Sequence, residues 1–327
     1  MFAITYRKLF LTIAAVIVGG SIALIATLGL NFGIDFTGGS LTEAAYDTAP
    51  AQSEVEAAVA TLELGGTSVR GSTDEAGRSA YIVRTRDLSE AERAELADSL
   101  VALGDGGEVT RYTSIGPVIG QELRDKAVWA IIGVATVIIL YVAIAFAGIG
   151  TPVSSWTYGA ITILVLLHDV LVPTALMSVL GVLIGAEIDV LFVMALLAVL
   201  GYSVNDTIVV FDRVRENLKA NRTEHREKRE EAGVVNEEVT YTLNKPYEEI
   251  VGEAVQGTLA RSINTSVTTL ITLGALYLFG GDVTETFALI LFAGVLAGTY
   301  SSICIASPLV VTYAKWRAAK AAQGAEK

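Results

Sequence analysis

Residues 188–213 read IDVLFVMALLAVLGYSVNDTIVVFDR, an apolar run that turns polar towards its end. The apolar part is long enough to cross a bilayer, because a membrane-spanning helix needs about 20 apolar residues at a rise of 1.5 Å per residue. Asp206 lies inside this run, where an ionisable side chain is costly and usually has a function or a partner. The stretch therefore predicts a transmembrane helix that carries a buried acid.

Five further runs of this kind extend the prediction to an all-α bundle of six membrane helices. They are Leu9–Leu30, Ala127–Ile149, Trp156–Gly181, Ser262–Gly280 and Phe287–Tyr313, with Ile188–Val210 as the fourth in chain order. Hydrophobic residues make up 52% of the 327 residues and charged residues only 18%. Soluble domains carry roughly 25% charged residues, so the composition agrees with a membrane protein. The first run follows Arg7 and Lys8 but lacks a small-x-small cleavage site, so we interpret it as an uncleaved span.

Basic residues predict which side of the membrane each segment faces, because lysine and arginine favour the cytoplasmic side. They cluster at both ends of the chain and between spans 4 and 5, whereas the segments around Glu187 and Asp282 carry acids and no base. We therefore expect cytoplasmic termini, a cytoplasmic connection between spans 4 and 5, and an outer domain between spans 1 and 2.

The outer domain, residues 31–126, has a mixed α and β pattern. Helices are expected at Ser53–Leu64 and from Ser89, which opens a capping box with Glu92. The order β-α-β-β-α-β predicts a small ferredoxin-like unit, with strands at Ser40–Tyr46, Thr67–Gly71, Ser79–Thr85 and Glu108–Ser114. Its 17 acidic and eight basic side chains supply most of the chain's net charge of −12, which argues against binding to nucleic acid.

The connection between spans 4 and 5 is rich in charge. Arg, Lys and Glu alternate over Asn221–Glu238, which favours a solvated helical face or a flexible segment. From Tyr247 onward the apolar pattern predicts an amphipathic helix that leads into span 5.

Two ionisable residues of spans 4 and 5 are expected to meet. Asp206 lies about 27 Å from Ile188 and Arg261 about 28 Å from Gly280 at 1.5 Å per residue. Neighbouring antiparallel helices would place this acid and base at one depth as an ion pair. A carboxylate beside an arginine stays ionised, and desolvation raises its pKa when the arginine withdraws, so the pair can act as a proton relay. The alternative is that the pair only holds two helices together.

Further polar residues surround this predicted relay. Asp169 in span 3 is a third candidate relay group, for which conduction and plain hydrogen bonding between helices are equally open, and the adjacent His168 is expected to be structural. The side chains expected to hold water or to hydrogen-bond the pair are Ser203, Asn205, Thr265 and Thr268.

Several functional classes are excluded by missing motifs. The chain has no Gly-x-x-x-x-Gly-Lys-Ser/Thr loop, no hydrolase elbow and no zinc-ligand spacing. The single Cys304 and two histidines rule out a disulfide framework and a histidine-rich metal site. We expect no enzyme activity, no cofactor and no metal, so energy would come from an ion gradient or a partner.

Six segments, in order along the chain, resemble the SecF members of the SecD/SecF family of protein-export subunits. They read GIDFTGG (33–39), IGPVIGQEL (115–123), HDV (168–170), GYSVNDTIVVFDRVREN (201–217), RSINTS (261–266) and LYLFGG (276–281). The first contains the family motif residues Gly33, Asp35, Gly38 and Gly39; we expect Asp35 to cap its own glycine-rich turn, with contact to a passing substrate as the alternative. The outer domain is short for SecD, and the connection between spans 4 and 5 is long for the family.

The resemblance implies a SecF-like subunit of the Sec machinery in the cytoplasmic membrane. The implied partners are a SecD-like subunit, a SecY/SecE-type channel, exported unfolded polypeptides and membrane lipids. It further implies that Asp206 and Arg261 couple the proton-motive force to export. The alternatives are a resistance-nodulation-division exporter of small molecules or lipids, and an inert scaffold.

The predicted organisation has six parts. Residues 1–30 are the cytoplasmic N-terminus and span 1, 31–126 the outer domain, and 127–211 spans 2–4. Residues 212–261 are the cytoplasmic connection, 262–313 spans 5–6, and 314–327 the cytoplasmic tail.

Overall fold

The chain folds into a helical bundle and a small α/β domain. The structure is a computed structural model that describes residues 2–74, 76–145, 152–231 and 234–325. The last residues predicted for span 2 (146–149) and two residues of the charged run (232–233) lie outside them. In chain order the elements are α1 (Phe2–Thr5), α2 (Arg7–Leu28), α3 (Ile34–Thr37), β1 (Gly39–Tyr46), α4 (Gln52–Thr61), β2 (Ser68–Thr73), β3 (Ser79–Thr85), α5 (Glu90–Val101), β4 (Glu108–Ile115), α6 (Pro117–Ala145), α7 (Ser155–Leu183), α8 (Val190–Ala220), β5 (Arg222–Glu231), β6 (Val234–Leu243), α9 (Tyr247–Phe279), α10 (Asp282–Ser301), a π-helical turn (Ser302–Ala306) and α11 (Ser307–Ala325).

Six helical segments in the described residues are long and apolar enough to cross a membrane: α2, α6, α7, α8, α9 and the continuous α10–α11. The six-span prediction is therefore confirmed. Between 44% and 50% of the apolar window is buried in α7, α8 and α10–α11, against 11–17% in α2, α6 and α9. The first three thus form the centre of the bundle and the others its periphery.

Several spans are longer than their apolar runs. Helix α6 starts at Pro117, ten residues before the predicted Ala127, and proline suits the first helical position because its missing N–H has no partner there. Helix α9 runs without a break from Tyr247, which confirms the lead-in helix. Apolar composition located the membrane segments, but the helices continue through polar sequence at their ends.

The domain between α2 and α6, called here the small domain, is ferredoxin-like as predicted. Its four strands form an antiparallel sheet in the order β2-β3-β1-β4. Helices α4 and α5 cover it, and the fully buried Tyr46 donates a hydrogen bond from its hydroxyl to the Leu100 carbonyl at 2.9 Å. The capping box at the start of α5 is present, with Ser89 and Glu92 bonding to each other's backbone.

The prediction for the charged run between spans 4 and 5 was wrong. Helix α8 continues to Ala220, and the chain then forms an antiparallel hairpin of β5 and β6. Five of the ten residues of β6 are Val or Thr, which fit a pleated ribbon better than a helix. At the base of the hairpin, Asn244 N–H donates to the Asn221 carbonyl at 2.8 Å, and Thr223 Oγ1 donates to Asn244 Oδ1 at 2.8 Å.

Two glycines allow close contacts where the sheet of the small domain begins. Gly38 has a φ of +72° and Gly39 a φ of +130°, backbone conformations that L side chains rarely adopt. A Cβ on Gly38 would lie 2.8 Å from Pro117 Cα, and one on Gly39 would lie 2.6 Å from the Thr85 carbonyl oxygen. Gly38 therefore lets the chain pass directly against the start of α6, and Gly39 lets β1 begin directly against the end of β3.

Replacing Gly38 with alanine should destabilise the protein through backbone strain and a clash. Gly38 has a φ of +72° and a ψ of 166°, a region essentially restricted to glycine, where another residue costs about 1–3 kcal/mol. Overpacking against Pro117 adds about 1–3 kcal/mol. Gly77→Ala is the matched control, because Gly77 has a φ of +81° and open space around it. The midpoint of thermal unfolding of the purified protein should fall further for Gly38→Ala, and equal shifts would contradict the close approach.

Candidate functional site

Asp169 of α7 is completely buried, at 0% exposure, in the centre of the bundle. Its Oδ2 accepts hydrogen bonds from Ser301 Oγ at 2.7 Å and from Ser203 Oγ of α8. Its Oδ1 lies 2.8 Å from Nδ1 of the equally buried His168. The carboxylate therefore has a polar partner on each side, which offsets its loss of hydration.

Asp206 of α8 is half-buried and is also held by serines. Its Oδ1 accepts from Ser262 Oγ of α9 at 2.5 Å, and its Oδ2 accepts from Ser302 Oγ of the π-helical turn. Hydroxyl donors from two other helices thus meet at one acid of α8.

The two carboxylates are linked through shared elements. Ser203 and Asp206 are three residues apart on α8, so they lie on neighbouring positions of one helix face. Ser301 and Ser302 are consecutive, and they stand where α10 passes into the π-helical turn. Such turns are rare and often occur at functional sites. One junction in the last span therefore supplies a donor to each acid.

The predicted ion pair between Asp206 and Arg261 is absent. Both residues line one cavity of about 140 Å³, which confirms that α8 and α9 bring them to the same level, but no salt bridge joins them. Asp206 bonds instead to Ser262, the residue after Arg261. Successive helical residues point about 100° apart at 3.6 residues per turn, so only one of the two can face Asp206 directly.

The remaining predicted residues divide between this cavity and its surroundings. Asn205 and Thr265 line the cavity, together with Tyr202 and Val209. Ser203 bonds to Asp169 rather than to the predicted pair. Thr268 does not line the cavity; its hydroxyl donates to backbone carbonyls of its own helix.

Sequence reasoning missed three serines that hold the carboxylates: Ser262, Ser301 and Ser302. The one available signal was the placement of adjacent hydroxyl residues inside apolar spans, which does not reveal which helix they face. Two buried polar atoms beside the acids, His168 Nε2 and Thr207 Oγ1, have no hydrogen-bond partner within the described residues. In the same part of the chain, no three His, Cys, Asp or Glu side chains gather as a metal site would require.

Asp35 acts at a distance rather than in its own turn. Its Oδ2 accepts a hydrogen bond from the Val190 N–H at 3.0 Å, so it caps the first turn of α8 from 155 residues away. The local cap expected from the sequence was therefore wrong. Gly33 supports the contact, because its N–H donates to the Ile188 carbonyl at 2.8 Å and a Cβ there would lie 3.2 Å from that oxygen.

Ion pairs add a second link between the small domain and the outer end of α8. Glu187, just before α8, pairs with Arg84 of β3 and with Arg70 of β2, the latter at 3.7 Å. Burial, followed by the nearby Arg70 charge, lowers the pKa of Arg84 to about 10, so Arg84 stays protonated at neutral pH. The small domain is thus tied to the helix that carries Ser203 and Asp206. These residues lie about 20 Å and about 24 Å along the helix axis from Val190.

These features define a multi-pass membrane protein with a ferredoxin-like domain after its first span and serine-bound carboxylates in its bundle. Two family models match the chain: "Protein export membrane protein SecD/SecF, C-terminal" over residues 96–316 and "SecD/SecF GG Motif" over residues 23–50. The chain belongs to the SecD/SecF family.

Relatives and solved structures agree with this assignment. The chain is 36% identical to protein translocase subunit SecF of Thermobaculum terrenum, over 84% of this chain and 81% of the relative, and 36% identical to that of Anaerolinea thermophila, over 86% and 84%. The crystal structure of SecDF from Thermus thermophilus matches with a TM-score of 0.75 and 31% identity, over 95% of this chain and 38% of that longer chain. This chain therefore corresponds to little more than a third of the solved SecDF.

Removing the charge of Glu187 should loosen the small domain from the bundle. Glu187→Gln leaves two partly buried arginines without their carboxylate, which costs about 1–3 kcal/mol. Glu122→Gln is the matched control, because its pair with Lys126 is exposed and such pairs contribute about 0.3–0.5 kcal/mol. Hydrogen exchange of β3 amides should accelerate in Glu187→Gln only, and equal acceleration in both variants would contradict the link.

Proposed function

We propose that this chain is a SecF-like subunit of the Sec protein-export machinery that works with a SecD-like partner. It uses the proton-motive force to promote outward movement of polypeptides across the cytoplasmic membrane. Family membership and the relatives named protein translocase subunit SecF support the export role. The chain acts as a transport subunit and not as an enzyme.

The observation that supports the coupling mechanism is that one helix, α8, contacts the small domain and also carries residues of the buried acid site. Helix α8 is capped by Asp35 and tethered by Glu187 at one end, and it carries Ser203 and Asp206 further along. A change in the hydrogen bonds of Asp206 would therefore act on helix α8, which is bonded to the small domain at its other end. Rigid helices transmit such changes over this distance when they have two discrete arrangements.

The relay is assigned to Asp206, Arg261 and Asp169. In the arrangement described above, Arg261 shares a cavity with Asp206 without pairing to it. We infer a second arrangement in which the guanidinium approaches the carboxylate and favours its ionised form. Alternation between the two would take up a proton on one side and release it on the other. Asn205 and Thr265 line the path by which water and protons reach Asp206.

The proposed sidedness follows from the basic residues at both termini and in the connection between α8 and α9. The small domain then faces outward, where polypeptides emerge from a SecY/SecE-type channel. Movement of the small domain would act on the emerging unfolded chain, and the exposed apolar faces of α2, α6 and α9 would meet lipid and the SecD-like partner.

Replacing Asp206 with asparagine should abolish the part of export that depends on the proton gradient. The amide cannot take up and release a proton, while its size is nearly unchanged. Export of signal-peptide-bearing precursors is followed in membranes with and without a proton gradient. Asp212→Asn is the matched control, because Asp212 is an exposed acid six residues further along α8 that pairs with Arg215.

Normal gradient-dependent export at wild-type levels of the Asp206→Asn variant would refute the relay. Unimpaired export together with lost efflux of small molecules or lipids would instead favour an exporter. If the variant retained both export and efflux, the result would favour a structural scaffold in which the buried charges are inert.

Arg261→Gln should reduce gradient-dependent export by about tenfold or more, equivalent to at least about 1.4 kcal/mol of lost coupling. The reason is that the second arrangement loses its positive charge. Arg261→Lys should retain part of the activity, because it keeps the charge at a similar reach. Equal export in the two variants would show that the charge of Arg261 has no part in the cycle.

A further inference from the structure

Ser301 and Ser302 each have two alternative acceptors for a single hydroxyl hydrogen. Ser301 Oγ lies within hydrogen-bond distance of Asp169 Oδ2 at 2.7 Å and of the Gly298 carbonyl at 3.1 Å. Ser302 Oγ lies within reach of Asp206 Oδ2 and of the Thr299 carbonyl at 3.2 Å. Each hydroxyl donates one hydrogen, so it can fully satisfy only one of its two acceptors at a time.

The state of the carboxyl group decides which acceptor wins. An ionised carboxylate is the stronger acceptor and draws the hydroxyl hydrogen. A protonated carboxyl group has its own O–H to donate, and the serine oxygen can accept it while its hydrogen turns to the backbone carbonyl. The step adds one proton to the carboxylate and changes the acceptor of one hydroxyl, with no change in oxidation state.

The backbone carbonyls concerned belong to the place where the helix changes its hydrogen-bonding pattern. Gly298 and Thr299 precede the π-helical turn Ser302–Ala306, and the Gly298 carbonyl also accepts the Ser302 N–H. A hydroxyl that bonds to these carbonyls competes with the backbone N–H groups of the following turn and alters its geometry. The turn is thus linked to both carboxylates, to Asp169 through Ser301 and to Asp206 through Ser302.

We propose that Ser301 and Ser302 are positioning residues that form a hydroxyl switch, which transmits the protonation state of Asp169 and Asp206 to the π-helical turn of the last span. This inference rests on the proposed proton relay and extends it to a structural response. The two serines are adjacent, so protonation of either acid changes the same turn. Asp169 is thereby a working part of the cycle and not only a contact between helices.

Cys304 provides a reporter inside the π-helical turn. It is the single cysteine of the chain, so the S–H stretching band in an infrared spectrum arises from this residue alone. Among the described residues, the titratable groups recorded beside the two acids are His168 at Asp169, and Tyr202 and Arg261 in the cavity that holds Asp206. Tyr300 lies against His168, and Cys304 interacts with Tyr300. None of these groups absorbs in the band of a protonated carboxyl group. Carboxyl protonation and the state of the turn can therefore be followed in one sample.

The test is infrared titration of the full-length protein in lipid bilayers, with carboxyl bands assigned through Asp169→Asn and Asp206→Asn. In the wild type, the S–H band should shift over the same pH interval in which the protonated carboxyl bands appear. In the double variant Ser301→Ala/Ser302→Ala, the carboxyl bands should still appear but the S–H shift should be lost. Ser178→Ala is the matched control, because Ser178 is a buried serine of α7 whose hydroxyl donates to the Gly29 carbonyl, about 14 Å along the helix from Asp169; it should keep the shift.

The proposal is overturned if the S–H band follows the carboxyl bands equally in the double variant, or if it does not follow them in the wild type. If the double variant does not reach the membrane, each single variant carries the test, since it should lose the response to its own carboxyl group only. Loss of export in Asp206→Asn together with an unaltered S–H response in the serine variants would refute the switch and leave the proposed function standing. Normal gradient-dependent export in Asp206→Asn, together with a lost S–H response in the serine variants, would refute the proposed function alone.

Discussion

An ionised carboxylate inside a bundle of apolar helices is stable only if protein groups replace its lost water, and this requirement organises the centre of the molecule. Asp169 and Asp206 receive hydroxyl donors from the other central helices and from α9. Serine is suited to the task because it donates one hydrogen bond at little cost in volume and can also accept one. Each acid is thereby held by hydroxyl groups of neighbouring helices.

The placement of these donors depends on how closely α8 and α10 approach each other. A Cβ on Gly298 would lie 3.1 Å from Ser203 Cβ, and one on Gly294 would lie 2.2 Å from Val199 Cγ2. Small residues at a helix contact allow such approach within membranes. The π-helical turn then directs two consecutive serines to two different acids. The glycines at the helix contact and the π-helical turn together place serine donors at the two acids.

The outer end of α8 is organised by a different kind of interaction. There Asp35 binds a free N–H of the first helical turn and Glu187 pairs with arginines of the small domain. Gly38 brings the chain just before β1 directly against Pro117 at the start of α6, so the small domain is joined to the bundle at two places. Under the proposed coupling, these contacts would pass a movement of α8 to the small domain.

The sequence by itself determined the six spans, the ferredoxin-like domain and the residues that carry the family motifs. The length of an apolar run and the alternation of helix and strand patterns are local properties, so they can be recognised in one amino-acid sequence. Depth counting also placed Asp206 and Arg261 correctly at one level. It did not show that they form no ion pair, because the rotation of one helix about its axis relative to another is not encoded in spacing along the chain.

Tertiary structure alone decided the partners. Ser262, Ser301 and Ser302 are ordinary small residues in their own spans, and they become functional candidates only where three helices converge on an acid. In the same way, Asp35 caps a helix 155 residues away. The charged connection forms a hairpin where the pattern favoured a solvated helical face or a flexible segment. For the serines and Asp35 the deciding contact joins segments that are distant along the chain, and its free energy outweighs the local preference. For the hairpin the deciding contact is the pairing of two consecutive strands.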